Sequence, residues 1–530
     1  MLRIDEIRIP ACLPEVSLTD GISSIIGVPA GEIKELYVVR ESIDARKKKG
    51  VFFVYNVIIA LSDGNLEEKI AGKGKARLVA GLPHPYRLPA VNARIPEYPV
   101  AVVGCGPAGL FASYTLAHFG FPVVLIERGK KVEERARDVS RFWREGVLKK
   151  ESNIQFGEGG AGTFSDGKLT TRMRAPEARL VIDTFSELGG GPELVRKAKP
   201  HMGTNRLRKV VRRFRERLSR MGVDFLFESA VVDVRVSGGG VAGLLIDSGD
   251  EIPVREVVFA PGHSARDNYP MLERRGVALE GKPFAVGIRV EHPQPLIDEI
   301  QYGEHAGCGC LPPADYRLAV TTSRGRAVYS FCMCPGGFVI LSSSEGSDLV
   351  VNGMSPTRRM TGYANSGIVA AVGPEDYGRG IFDGIAFQRK LEQSLFRAAG
   401  ERYGLVSSSL THFLSRQGKI EPAAGRWAGG ERIAGDLRRA LPSSLYEDLV
   451  EGIGRFDRRM KGYVSESANV YGVESRTSSP VRITRGAGME SISLRGFYPA
   501  GEGAGYAGGI VSSAVDGIRA AMAIVRTYQR

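Results

Sequence analysis

The chain has 530 residues, 43% of them hydrophobic, and a formal net charge of +13. That length exceeds one compact domain, and that apolar content excludes a largely disordered chain. The six cysteines are too few for a disulfide framework, the start MLRIDEIRIPACLPEVS lacks the apolar run of a signal peptide, and charge or glycine breaks every apolar stretch before it could span a membrane, so a cytoplasmic protein is expected.

Residues 1–95 read as a small α+β unit. LRIDEIRI alternates like a strand, Asp20 to Ile26 predicts a short helix, and IKELYVVRESID and VFFVYNVIIALS predict two strands around the basic turn Arg46-Lys47-Lys48-Lys49. A solvated hairpin tip is the simple account of that turn, and phosphate binding the alternative. PHPYRLPAVNARIPEYP, with five prolines, reads as a linker.

YPVAVVGCGPAGLFASYTLAHFGFPVVLIERG follows, a strand, glycine turn, helix and second strand. Gly104, Gly106 and Gly109 form G-x-G-x-x-G, with Pro107 and Ala108 opening the helix. Gly104 suits a tight turn, Gly106 lets backbone approach a pyrophosphate at the helix N-terminus, and Gly109 lets helix pack on strand. Glu127, followed by Arg128, ends the second strand, where a carboxylate accepts ribose hydroxyls and repels a 2′-phosphate. A dinucleotide site is therefore expected, with NADP disfavoured.

NIQFGEGGAGTFSDGKLTT comes next, with Gly157, Gly159, Gly160, Ala161 and Gly162 before Asp166 and Lys168. Such glycine density brings backbone close to something flat or anionic, here a flavin ring. Helices are predicted around Pro176–Leu188 and from Thr204, as N-cap, to Met221. The second helix is strongly basic, but its apolar members share one face, so it reads as an amphipathic surface helix. Four short strands lead to the turn at Pro261 and Gly262.

Residues 280–355 read as an antiparallel sheet built from FAVGIRVEHP, YRLAVTTS, AVYSFCMC and GFVILSS, with helices near 384–400 and 442–459. The chain ends in GFYPAGEGAGYAGGIVSSAVDGIRAAMAIV, a strand, the cluster Gly501, Glu502, Gly508 and Gly509, and a helix from Ile510. Glu502 suits a ribitol hydroxyl, and the helix N-terminus suits the flavin edge that becomes anionic on reduction.

These segments together resemble the two-part FAD site of glutathione-reductase-like flavoproteins, although Glu502 stands where that motif usually has Asp. QFGEGGAGTFSDGKL, PHMGTNRLRKVV, FAVGIRVEHPQ, FCMCPGG and VNGMS resemble an FAD-dependent dehydrogenase group of bacteria and archaea, over nearly the whole chain. The resemblance implies an α/β fold with four parts. These are an N-terminal domain (1–95), a Rossmann-like FAD domain in two pieces (96–280 and 481–530), and a substrate domain of antiparallel sheet and helices (281–480). It also implies FAD as cofactor and adds Val231 to the cofactor-binding set. No second G-x-G-x-x-G is read within a strand–turn–helix–strand unit of the kind that holds a nicotinamide cofactor, so NAD(P)H is expected at most as a transient donor.

Four cysteines fall in AGCGCLPP and YSFCMCPGG. A strand pair setting Cys308 and Cys310 opposite Cys332 and Cys334 would gather four sulfurs, and Cys308 with Cys334 is a conceivable redox pair. The resemblance covers FCMCPGG and not its CGC partner, so no metal site is expected. Cys334, Lys168 and His263 are the catalytic candidates, with His201 a further loop histidine. The expected protein is a soluble FAD-dependent dehydrogenase that moves a hydride between a small molecule and FAD. The alternative is an RNA-associated flavoprotein gripping RNA through the basic N-terminal unit.

Overall fold

A computed structural model describes residues 1–12, 17–46, 50–171, 173–415 and 431–529. At its centre lies a five-stranded parallel sheet in the order Phe497–Pro499, Val257–Phe259, Val100–Val103, Val123–Glu127 and Val223–Phe227. The strand Val100–Val103 is buried at every position, as a parallel strand covered on both faces must be. One face carries the helix Pro107–His118, packed on the C-terminal helix Ile510–Thr527. Small residues permit that contact: a Cβ at Gly517 would run into the Ala108 carbonyl. The chain thus closes its Rossmann-like unit with its last helix and the strand before it.

The second large sheet has seven strands, ordered Ala319–Thr321, Ala327–Cys334, Tyr363–Val372, Phe284–Pro293, Asn469–Glu474, Gly404–Ser409 and Glu431–Ala434. Its pairings are antiparallel except the last. The helices Asp383–Ala398 and Ser443–Arg459 pack apolar faces into its core. Two expectations change here. Phe338–Leu341 pairs with Val351–Met354 in a separate hairpin, and the place between Ala327–Cys334 and Phe284–Pro293 is taken by Tyr363–Val372, which no sequence pattern announced.

The N-terminal sheet orders Ile33–Asp44, Phe52–Leu61, Leu2–Pro10 and Arg77–Leu78. Its helix starts at Leu18, earlier than the expected Asp20, because Ser17 and Asp20 form a capping box: Ser17 Oγ accepts from the Asp20 amide at 3.1 Å, and Asp20 accepts from the Ser17 amide at 3.3 Å. The basic helix spans Thr204–Arg220, but Gly203 is its N-cap. Thr204 Oγ1 instead donates to the Thr163 carbonyl at 2.9 Å, tying the helix to the glycine loop. Several arginines of this helix are engaged, Arg206 with Glu193, Arg215 with Glu133 and Glu158, and Arg217 with Glu187. Arg46 pairs with Asp44, and Lys47 to Lys49 of the basic turn lie outside the described residues. No helix among the described residues is long and apolar enough to cross a membrane.

Candidate functional site

The C-terminal ends of the parallel strands open on a cavity of about 450 Å³, within the range of small-ligand and cofactor sites. The expected cofactor residues Gly104, Gly106, Pro107, Ala108, Glu127, Arg128, Gly160, Ala161, Gly162, Asp166, Lys168, Val231, Pro261, Gly262, Gly501, Glu502, Gly508, Gly509 and Ile510 all line it, from six separate stretches of chain. Three others do not. Gly109 is glycine because a Cβ would strike the Gly104 carbonyl, Gly157 because it lies against Arg135, and Gly159 because it lies against Thr163 and Val211. Their role is packing.

The glycine turn itself divides in two. Gly104 has φ +97, and a side chain there would strike the Ala260 carbonyl, so fold geometry alone demands glycine. Gly106 has an ordinary φ of −78, and its added Cβ would find nothing nearer than Gly160 Cα at 3.8 Å. Gly508 likewise has open space where a Cβ would stand. At these two positions the protein leaves bare backbone facing the cavity. Two helix N-termini, at Pro107 and Ile510, also meet this cavity, and their unpaired amides favour a pyrophosphate. The cradle therefore fits FAD.

Glu127 is more committed than its sequence position suggests. Its carboxylate accepts from the amides of Cys105 at 2.8 Å, Gly129 at 2.8 Å and Gly157 at 2.9 Å. Of roughly four acceptor sites on a carboxylate, one remains for a ribose hydroxyl. Arg128 pairs with Glu151 and Asp267, and its guanidinium lies 4.4 Å from the Phe156 ring centroid. Near the cavity mouth, His263 Nδ1 lies 3.1 Å from Glu502, while its Nε2 is buried without a hydrogen-bond partner.

Arg135 is the site residue that motif reading missed. It is wholly buried and donates to the carbonyls of Asn153, Ile154, Gly157, Glu158 and Gly160 at 2.7 to 3.1 Å. Burial pushes its pKa down to about 10, against the pull of Glu127 and Glu158. This one guanidinium shapes the glycine loop. Asp516 does similar work at the C-terminal turn, accepting from the Gly501 amide at 2.8 Å while paired with Arg485.

The opposite wall comes from the seven-stranded sheet and its neighbours: Phe331, Cys332, Cys334, Asn352, Gly353, Arg476 and Thr477. The strand bulges between Phe331 and Cys334, leaving Cys332 at φ +43 with its side chain open to the cavity. Although solvent reaches it through the cavity, surrounding protein pushes the Cys332 thiol up to about 12, with Lys168 opposing. The candidate Cys334 is buried, its pKa is also raised by burial, and its thiol donates to the Cys332 carbonyl at 3.2 Å. Neither is set up as a thiolate nucleophile at neutral pH.

Lys168 stands beside these sulfurs and makes no hydrogen bond or ion pair among the described residues. Its neighbour Asp166 is engaged by Arg359 at 2.6 and 3.0 Å; burial works to raise that carboxyl, and Arg359 and Lys168 hold it below its usual range. The candidate His201 is held neutral, its pKa lowered to about 4 by burial and then by Arg359. Arg476 of this wall and Arg266 share Glu392, with Arg476 also on Asp348 and Ser344. These buried charges join the FAD-side turn after His263 to the sheet region and left no signal in sequence spacing.

The strand pairing that would set the two Cys-x-Cys pairs opposite each other does not occur. Cys308 and Cys310 sit in a loop against Cys12 of the N-terminal unit, and Cys12 and Cys308 are joined as a disulfide. Glycines flanking this loop's cysteines prevent the strand on which four-sulfur pairing depended.

Residues 283–477 match the family described as "FAD-dependent protein, C-terminal domain-like", and residues 1–60 match a domain of unknown function. A protein of Clostridium beijerinckii described as uncharacterized is 40% identical over 505 residues, covering 94% of this chain and 93% of its own length. Among solved structures, glycine oxidase from Geobacillus kaustophilus is 13% identical, with a TM-score of 0.36 over 82% of this chain and 95% of that one. The flavin-dependent brominase Bmp2, as a triple mutant, is 13% identical, with a TM-score of 0.35 over 82% of this chain and 81% of its own. At such scores these two likenesses say nothing of a shared reaction. The cradle, the matched C-terminal domain and the relative spanning nearly the full length agree: the chain belongs to the family of FAD-dependent proteins that its sequence resembles, the FAD-dependent oxidoreductases.

Proposed function

We propose that the protein is a dehydrogenase that moves a hydride between a small organic substrate and FAD, the substrate entering between the glycine cradle and the wall at Cys332, Asn352 and Thr477. The observation that carries this reading is one continuous cavity, with bare backbone on one side, a mixed polar wall on the other, and the Lys168 ammonium of the glycine loop near the wall's Cys332 and Cys334. Bound FAD supplies the hydride-accepting chemistry. The chain supplies the rest. Gly106 and Gly508 admit the cofactor, and two helix N-termini neutralise its phosphates. Lys168 holds positive charge on the substrate side, suited to a carboxylate or another anionic group. His263, steadied by Glu502, offers a nitrogen that can hold or release a proton. No second strand–turn–helix–strand glycine fingerprint is read for NAD(P)H, so the electrons come from the substrate or from a transient donor.

The test uses natively purified holoprotein. Its flavin is reduced photochemically without oxygen, then mixed with either an artificial dye acceptor or oxygen. Faster reoxidation by the dye is expected of a dehydrogenase. Reoxidation by oxygen at least as fast, yielding hydrogen peroxide or a hydroxylated product, overturns this reading in favour of an oxidase or monooxygenase. Anaerobic titration with NADH and NADPH then shows whether a nicotinamide can serve as the donor.

A further inference from the structure

We propose that Cys12, Cys308 and Cys310, in their thiol form, are a binding site for one zinc ion that clips the N-terminal sheet to the 283–477 region. The three ligand atoms all lie within 4.8 Å of one another. Cys310 Sγ is 2.8 Å from Cys308 Sγ and 3.7 Å from Cys12 Sγ. A disulfide between Cys12 and Cys308 occupies two of these sulfurs and leaves the third beside them, its thiol donating to the Ala11 carbonyl at 2.7 Å. A single thiophilic ion engages all three. Three sulfur donors without a carboxylate select a soft or borderline cation, and zinc takes thiolates tetrahedrally. Cys308 and Cys310 are solvent-facing, which leaves the fourth position to water.

The backbone is arranged for this convergence. Gly309, at φ +77, lets the chain fold back between the two cysteines, so that both sulfurs reach the same point. Cys12 follows Ala11, which is buried with the 283–477 core and whose amide donates to the Val51 carbonyl at 2.9 Å. The cluster therefore sits at the junction of two units and joins residues 296 positions apart in sequence. Such a clip restrains the unfolded chain as any long-range crosslink does.

Loading the site from the disulfide form is balanced as follows. A thiol reductant supplies two electrons and two protons to the Cys12–Cys308 bond and is itself oxidised to a disulfide. The three thiols then release their protons as the ion binds.

The experiment takes the full-length FAD-loaded protein, reduced with a phosphine and freed of metal, and titrates it with zinc against a chromophoric chelator. About one zinc per chain is expected. Cys308→Ser and Cys310→Ser should lose it, and Cys332→Ser should retain it, with the flavin spectrum reporting that each variant is folded. If a variant fails to fold, wild-type protein is alkylated with and without zinc and mapped by mass. Protection of Cys12, Cys308 and Cys310 by zinc supports the site. Failure of the reduced wild type to hold zinc, zinc binding that survives Cys310→Ser, or alkylation of the three cysteines unaffected by zinc overturns it.

Discussion

Gly106→Ala separates what the fold needs from what the cofactor needs. The backbone φ of −78 suits alanine, and the nearest protein atom to the new methyl is 3.8 Å away, an ordinary contact. Gly106 is also the helix N-cap, where alanine is inferior to glycine by under about 1 kcal/mol. The apoprotein should therefore unfold nearly as the wild type does. The holoprotein should not. A methyl forced into a packed contact costs about 1–3 kcal/mol. At about 1.4 kcal/mol per decade, FAD binding weakens roughly 5- to 150-fold. Flavin fluorescence titration of stripped protein measures the affinity, and thermal unfolding of the apo and loaded forms measures the two stabilities. Cofactor stabilisation scales with the logarithm of ligand excess over Kd, so the gap between the two midpoints must shrink. Unchanged FAD affinity, or an apoprotein destabilised as much as the holoprotein, would refute the argument that this glycine answers to a ligand. Gly508→Ala is an independent repeat on the other arm of the cradle, since nothing lies within 4 Å of its Cβ position.

Arg135→Met should leave the Asn153 and Ile154 carbonyls without a donor, at about 1–3 kcal/mol each, lowering both the unfolding midpoint and the temperature of flavin release; wild-type values for both would contradict the loop-shaping role. Cys332→Gly removes the left-handed strain at φ +43 and should raise stability in denaturant by about 1 kcal/mol, whereas Cys332→Val should lower it. Glu291, against the Tyr471 hydroxyl, is pushed by burial from 4.5 to about 7, so the folded state keeps a proton that the unfolded state releases, and stability falls as pH rises through that window. Its neighbour His292 is lowered by burial from 6.5 to about 4 and acts in the opposite sense, destabilising as pH falls below 6.5. Glu291→Gln leaves the histidine unopposed, so the variant's urea midpoint should drop on acidification from pH 6.5 to 4.5 more than the wild type's does.

The cofactor side was legible in sequence because its requirements are local. A strand, a turn that only glycine can make, a helix that packs through a glycine and an acid at the next strand end fall within about thirty residues, and each has one physical reason. Even there, the motif could not separate Gly104 and Gly109, which the fold demands, from Gly106, where the fold leaves room for a side chain, because all three are the same letter. The substrate side was illegible because its determinants are registers between distant strands. Tyr363–Val372 reads YANSGIVAAV, mostly small residues buried on both faces, with no alternation to mark it as a strand. Yet its register with Phe284–Pro293 brings Asn365 within 2.8 Å of Arg289, which also holds Glu474 from a third strand. The same holds for Arg266, Glu392 and Arg476, whose meeting point is fixed by packing over a separation of 210 residues. The cysteines make the argument most plainly. Spacing of two in a strand predicts a shared face, and that inference is sound only if the segment is a strand. Gly307 and Gly309 make the Cys308 segment a loop, and its partner becomes Cys12, 296 positions earlier in the chain. A motif reports the geometry of its own few residues; which distant residue completes the site depends on the fold that carries it there.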